Sequence, residues 1–301
     1  MNKAIILVCI LVNAVLLNGQ QTDFSKMKGP YLGQKTPGNT PEIFAPGIVS
    51  KDGIQSKLLL SPDGSEIIFM NLSFAGNNPA GRKSSFMSIR KEKDDWGTPV
   101  EIPFSLEYMN DEPALSPDGQ KLFFVSNRPV TGNGDPAKMP DIWVSERTGT
   151  GWSEPANTGA PVNTDGVEVQ PFYSSTDKLY FGRIDGIYCS QYSEGHFSEP
   201  VKFGTDILKG RVRGICFSPD NKVLIVHSDM QGGYGSWDLY ISFLDETGNW
   251  TQLINLGNGI NTEKPEANAT FSPDGKYIFF SRGDDIYWVS AEIIEELRPK
   301  D

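Results

Sequence analysis

Between residues 40 and 294 the chain alternates short apolar runs with polar turns, and the apolar runs are strand-sized. Ile67-Ile68-Phe69, Leu122-Phe123-Phe124, Leu179-Tyr180-Phe181, Leu224-Ile225-Val226 and Ile278-Phe279-Phe280 are built from the aliphatic and aromatic residues that fit a half-buried pleated surface. A polar tetrapeptide precedes each triplet, and an apolar residue (Leu60, Leu115, Tyr173, Phe217, Phe271) precedes each tetrapeptide. That order reads as strand, tight turn, strand. Only residues 291–297 carry a helical pattern, which predicts one short helix near the C-terminal end.

The tetrapeptides are copies of one another. Ser61-Pro62-Asp63-Gly64, Ser116-Pro117-Asp118-Gly119, Ser218-Pro219-Asp220-Asn221 and Ser272-Pro273-Asp274-Gly275 share a pattern, and Ser174-Ser175-Thr176-Asp177 is a degenerate copy. Proline presets its own φ for a turn, and Gly or Asn supplies the left-handed residue of a type I turn with a bulge. A further strand follows in each unit: Phe86-Met87-Ser88-Ile89, Asp141-Ile142-Trp143-Val144, Ile187-Tyr188-Cys189, Asp238-Leu239-Tyr240-Ile241 and Asp285-Ile286-Tyr287-Trp288. Four units add a last strand beginning near Trp96, Trp152, Phe197 or Trp250. The fifth runs out of chain, and the matching strand stands at 40–49. Closing the ring with that N-terminal strand removes the exposed sheet edges. Copies spaced 44 to 58 residues apart fit four-stranded blades, so the expectation is an all-β, five-bladed β-propeller, with six blades as the alternative.

Ahead of the repeats, Lys3 and the apolar run 4–17 have the form of a secretory signal peptide. This divides the chain into a leader (1–20), a lead segment (21–39) and one propeller domain (40–301) in a protein exported to the periplasm, the outer membrane or the medium. The run is shorter than the roughly 20 apolar residues a spanning helix needs, so no transmembrane segment is expected in the mature chain. Cys9 lacks the preceding small residue of a lipidation site. Cys189 and Cys216, both in strand contexts, read as small hydrophobes rather than a disulfide pair. With 27 basic and 38 acidic residues the formal charge is −11, which argues against nucleic acid as a partner.

The Ser-Pro-Asp-Gly turn, the aromatic strand after it and the later Asp-Ile-Tyr/Trp resemble the TolB-type, WD40-like propeller repeat of exported bacterial proteins over residues 40–294. Residues 230–238 (Met-Gln-Gly-Gly-Tyr-Gly-Ser-Trp-Asp) and Ser126-Asn127-Arg128-Pro129 resemble loops common in Bacteroidetes members. The resemblance implies an interaction platform in the cell envelope. The third unit departs from it by lacking both Pro and Gly in its turn.

Candidate chemistry is sparse. Four residues before each turn serine stand Lys57, Glu112, Gln170, Gly214 and Asn268; Glu168, Glu266, Arg211 and Arg213 are near in sequence. These positions predict a polar, mainly acidic channel mouth with one basic sector. Glu112, Glu168 and Glu266 are the carboxylates that a hydrolase would bring together across the ring. Tyr234 and Trp237, in the Gly-rich insert, are candidate contacts for a glycan or partner, and the loops 75–85 and 129–140 are candidate contact surfaces. Trp96, Trp152 and Trp250 share a repeat position and read as packing between blades. Asp141, Asp238 and Asp285 open equivalent strands and read as loop-pinning hydrogen-bond acceptors. His196 falls in a turn, and His227, Ser228 and Asp229 are too close in sequence to form a triad. No zinc spacing occurs, and the Asp-rich loops Asn133-Gly134-Asp135 and Gly283-Asp284-Asp285 lack a calcium-loop spacing, so no cofactor is expected, with calcium as the alternative. The sequence thus predicts a non-catalytic exported platform for a protein or peptide. The alternatives are a carbohydrate-active or other hydrolase with channel carboxylates, and a glycan-binding module.

Overall fold

The computed structural model describes residues 27–299 apart from 52, 75–81, 132–133, 135, 138 and 150. The expected leader lies outside the described residues, as do most of the loop at 75–85 and both polar ends of Asn133-Gly134-Asp135. No helix among the described residues is long and apolar enough to cross a membrane.

Five antiparallel sheets form the five blades of a β-propeller. Their innermost strands are Ile54–Leu60, Asn110–Leu115, Val169–Tyr173, Val212–Phe217 and Glu266–Phe271, and these define blades 1 to 5 in chain order. Neighbouring innermost strands contact one another around the ring, and blade 1 meets blade 5. Closure comes from the N-terminal side: Glu42 and Ile43 pair with Trp288 and Tyr287 of the last blade. Phe44 then packs edge-on against Phe279 and Trp288, with ring centroids 5.2 and 5.1 Å apart. Met27, Leu32, Phe44 and Val49 join blades 1 and 5 in a single apolar cluster, so the seam is a core of its own.

Four of the five repeated turns are held by the same side-chain bonds. The Ser61, Ser116, Ser218 and Ser272 hydroxyls donate to the aspartate two residues on at 2.5–2.6 Å. In return each serine oxygen accepts the backbone N–H that opens the next strand, at 2.8–3.0 Å. The fourth turn residue is left-handed throughout: Gly64, Gly119, Asn221 and Gly275 have φ of 66°, 70°, 57° and 72°. In blade 3 Asp177 takes that place at φ 55°, and Ser174 bonds Thr176 instead of an aspartate. The degenerate copy therefore makes the same turn.

The outer strands are more broken than their sequences suggest. In blades 1 to 3 the last strand is two separate two-residue pieces, such as Asp95–Trp96 and Val100–Glu101. Pro99, Pro155 and Pro200 stand between the pieces and have no N–H to donate to the ladder. Residues 291–297 form a 3-10 helix whose N-cap Ser290 accepts from the Glu292 N–H at 3.2 Å. Two further 3-10 turns, Tyr31–Gly33 and Pro103–Ser105, have no counterpart in the sequence reading.

Trp96 and Trp288 are among the largest fully enclosed side chains, while Trp152 and Trp250 pack in the clusters between blades 1 and 2 and between blades 3 and 4. Asp238 accepts the N–H groups of Tyr234 and Gly235 at 2.6 and 2.9 Å, and Asp141 accepts from Asn157 at 2.8 Å. These aspartates pin loops. Cys189 and Cys216 are free and buried.

Candidate active site in the channel

Every innermost strand breaks register with its neighbour, in four blades around the residue four before the turn serine and in blade 4 one residue earlier, at Arg213. The shifts fall between Ser56 and Leu58, Asp111 and Ala114, Val169 and Phe172, Val212 and Gly214, and Ala267 and Thr270. At the centre of four of these bulges is a non-glycine residue with left-handed backbone: Lys57 (φ 44°), Glu112 (56°), Gln170 (54°) and Asn268 (56°). Such a conformation costs roughly 1–3 kcal/mol per residue and recurs at functional sites. The bulge re-aims one side chain per blade. The result is a polar belt inside the channel, rather than a rim at its mouth as the sequence order suggested.

Blade 4 fills its place differently. Gly214 occupies the belt position, and a Cβ there would collide with the imidazole of His227 and lie 2.8 Å from Gln170 Oε1. His227 reaches in from the second strand and supplies the missing side chain. Burial first, and then the charges of Lys57 and Arg213, hold its pKa down to about 3, so it sits in the belt as a neutral ring.

Hydrogen bonds stitch parts of the belt. The Glu112 carboxylate accepts the backbone N–H and the Nε2–H of Gln170, each at 2.6 Å. Asn268 donates to Ser56 at 2.6 Å. Other groups are left over. Gln170 Oε1 and Asn268 Oδ1 are buried without a donor among the described residues. Lys57 is 4% exposed, and among the described residues its ammonium has neither a hydrogen-bond acceptor nor a carboxylate at ion-pair distance. Desolvation lowers the Lys57 pKa against the opposing pull of Glu112. Desolvation likewise raises that of Glu112, against the bonds from Gln170 and the charge of Lys57. A buried amine and a buried carboxyl are thus pushed toward one another in proton affinity.

Of the belt residues, Lys57 lines a cavity of about 290 Å³ that opens among the turns. Leu60, Leu115, Tyr173, Phe217 and Phe271, the apolar residues ahead of the turns, wall it, with turn prolines outside them. Lys57 and Cys216 lie at its inner end. Burial pushes the Cys216 thiol up to about 12, which leaves it a poor nucleophile.

The other carboxylates that the sequence brought together stand elsewhere. Glu168 and Glu266 are six residues before their turn serines, where Glu112 is four before its own, and both are fully buried. Glu168 accepts from Arg183 Nε at 3.1 Å and Thr164 Oγ1 at 2.7 Å; Glu266 accepts from Arg282 Nε at 3.0 Å and Thr262 Oγ1 at 2.6 Å. The guanidiniums also bond loop carbonyls and lie over Tyr188 and Tyr287. Neither glutamate shares the belt with Glu112.

Arg211 and Arg213 face Trp237, with guanidinium carbons 4.9 and 5.2 Å from its ring centre, and His227 meets the same ring edge-on at 5.6 Å. Arg211 also pairs with Asp229 at 2.5 Å. Trp237 is therefore engaged by cations and a histidine, while Tyr234 remains 51% exposed. Among the described residues no group of three His, Cys, Asp or Glu side chains is placed to hold a metal ion.

No protein-family profile matches the sequence, and no curated protein matches it. Solved structures resemble the fold at low identity. A gluconolactonase from Xanthomonas campestris is 13% identical over 87% of this chain and 97% of its own, with a TM-score of 0.47. A candidate 6-phosphogluconolactonase from Bacteroides uniformis is 13% identical over 75% and 77%, with a TM-score of 0.36. A candidate TolB from Agrobacterium tumefaciens is 17% identical over 79% and 90%, with a TM-score of 0.43. The expectation of a non-catalytic binding platform is corrected here. The solvated binding rim on which that expectation rested is replaced by buried groups, Lys57 and Glu112 among them, on left-handed backbone inside the channel.

Proposed function

We propose that the protein is a small-molecule hydrolase that cleaves an ester or lactone at the inner end of the channel cavity. The observation that carries this reading is the placing of Lys57, with no bonded partner among the described residues, against an apolar cavity in the same belt as Glu112. Groups whose proton affinities burial moves toward neutrality, set in a cleft, suit general acid and base work.

In this reading the free amine of Lys57 takes a proton from water as the water oxygen attacks the substrate carbonyl carbon. The ammonium then returns that proton to the departing alkoxide as the C–O bond breaks. Glu112, coupled to Lys57 through their charges and fixed by two bonds from Gln170, balances the transient ammonium charge. Two-carboxylate glycoside hydrolysis is disfavoured by the arginine pairing of Glu168 and Glu266. An exported location and TolB-type kinship belong to the same proposal, supported by the residue pattern at 4–17 and by the repeated turns.

The test is hydrolysis of a panel of γ- and δ-lactones and aryl esters followed by proton release. Wild type should turn over at least one class, and Lys57→Met should lower kcat by about 100-fold or more while retaining the far-UV circular dichroism of the propeller. Absence of turnover by wild type across the panel would overturn the proposal.

A further inference from the structure

The channel floor holds two nucleophilic side chains, and burial affects them in opposite ways. It keeps the Cys216 thiol protonated and inert, whereas at Lys57 it favours the uncharged amine. Lys57 is the only buried lysine among the described residues. Its bulged backbone fixes where the side chain enters the channel, and the space in front of it is walled by apolar groups. The charged or titratable groups coupled to it are Glu112 from blade 2 and Cys216 and His227 from blade 4.

We propose that Lys57 is a covalent capture site for small apolar aldehydes and ketones, which enter the turn-side cavity and condense with its amine as a Schiff base. The nitrogen lone pair adds to the carbonyl carbon, and one amine proton moves to the oxygen to give a carbinolamine. The hydroxyl then departs as water with the second proton, leaving a C=N bond. Carbonyl compound and amine become imine and water, with no oxidant or reductant needed. The apolar wall, formed by residues such as Leu60, Phe172 and Phe217, selects aliphatic or aromatic carbonyl compounds over charged ones. This inference rests on the same cavity-facing amine as the hydrolase reading, yet it does not require turnover.

The experiment is incubation of the purified protein with benzaldehyde or hexanal at about pH 6.5, reduction with cyanoborohydride and peptide mapping by mass spectrometry. Exposed lysines are almost wholly protonated there, so Lys57 should be labelled at least about tenfold more than any other lysine. The label should vanish in Lys57→Met. Should that variant fail to fold, the wild-type pH series decides: exposed lysines gain label about tenfold per pH unit up to about pH 9, and Lys57 should gain far less. Label spread over exposed lysines with Lys57 unmodified overturns the inference, even if esters are hydrolysed. Label at Lys57 without ester turnover upholds it and removes the hydrolase reading instead.

Discussion

Glu266 in blade 5 and Glu112 in blade 2 stand two repeat positions apart on equivalent strands, and their surroundings differ in kind. Glu266 is met by an arginine, a threonine hydroxyl and a backbone N–H, and the arginine is in turn held by a carbonyl and a tyrosine face. Blade 3 repeats the arrangement around Glu168. Among the described residues Glu112 is bound only by a neutral amide residue, in a belt where an amine has no bonded partner and two carbonyl oxygens have no donors. Repetition with complete satisfaction marks a structural device; a single copy with leftover bonding capacity, one of whose members, Lys57, lines a cavity, marks the place to look for chemistry.

Breaking the satisfied region should have the largest effect. Arg282→Met leaves the fully buried Glu266 carboxylate without its cation, and urea denaturation should show a loss of about 3–5 kcal/mol. Adding Glu266→Gln to the same chain should recover most of that loss, since no uncompensated charge remains. A change in the belt should cost less. Gly214→Ala forces a methyl group against His227 and Gln170, and the same measurement should give about 1–3 kcal/mol. Equal losses from both substitutions would erase the distinction between the regions.

The mildest contrast is in pH. An unfolded His227 binds a proton near pH 6.5, while the folded one resists until about pH 3. The unfolded chain therefore holds more protons between those values, so stability contributed above pH 6.5 is lost as the pH falls toward 3. Lys57, also lowered in the fold, acts in the same sense at higher pH. Thermal midpoints measured at about pH 7.5 and 5 should fall with acidification, and His227→Gln should flatten that fall. A fall of unchanged size in His227→Gln would place the acid sensitivity outside the belt.

Blade count and closure were legible in the sequence because turn chemistry is local. Ser, Pro, Asp and Gly hold their conformation through bonds within one tetrapeptide, and blade 3 keeps the turn with Asp177 in the left-handed position. The belt was legible as positions only. Counting four residues back from each serine finds Lys57, Glu112, Gln170, Gly214 and Asn268, but a bulge that puts Lys, Glu, Gln and Asn at positive φ leaves no glycine to announce it. The same count would have separated Glu168 and Glu266 from Glu112, because they stand two residues further back. His227 was missed as a member of the site. Its signal is indirect: a lone glycine in a column of polar residues implies that another side chain fills the space. The broken outer strands follow from prolines visible in the sequence, whose effect on the ladder was underweighted there.

Whether the belt does chemistry while the arginine-paired glutamates only hold the fold is tested most directly by kcat of Glu112→Gln per folded molecule, on whichever lactone or ester the wild type cleaves. A fall of about tenfold or more is predicted, because a neutral amide in place of the carboxylate cannot balance the charge that forms on Lys57. An unchanged kcat in a folded Glu112→Gln protein would contradict the account.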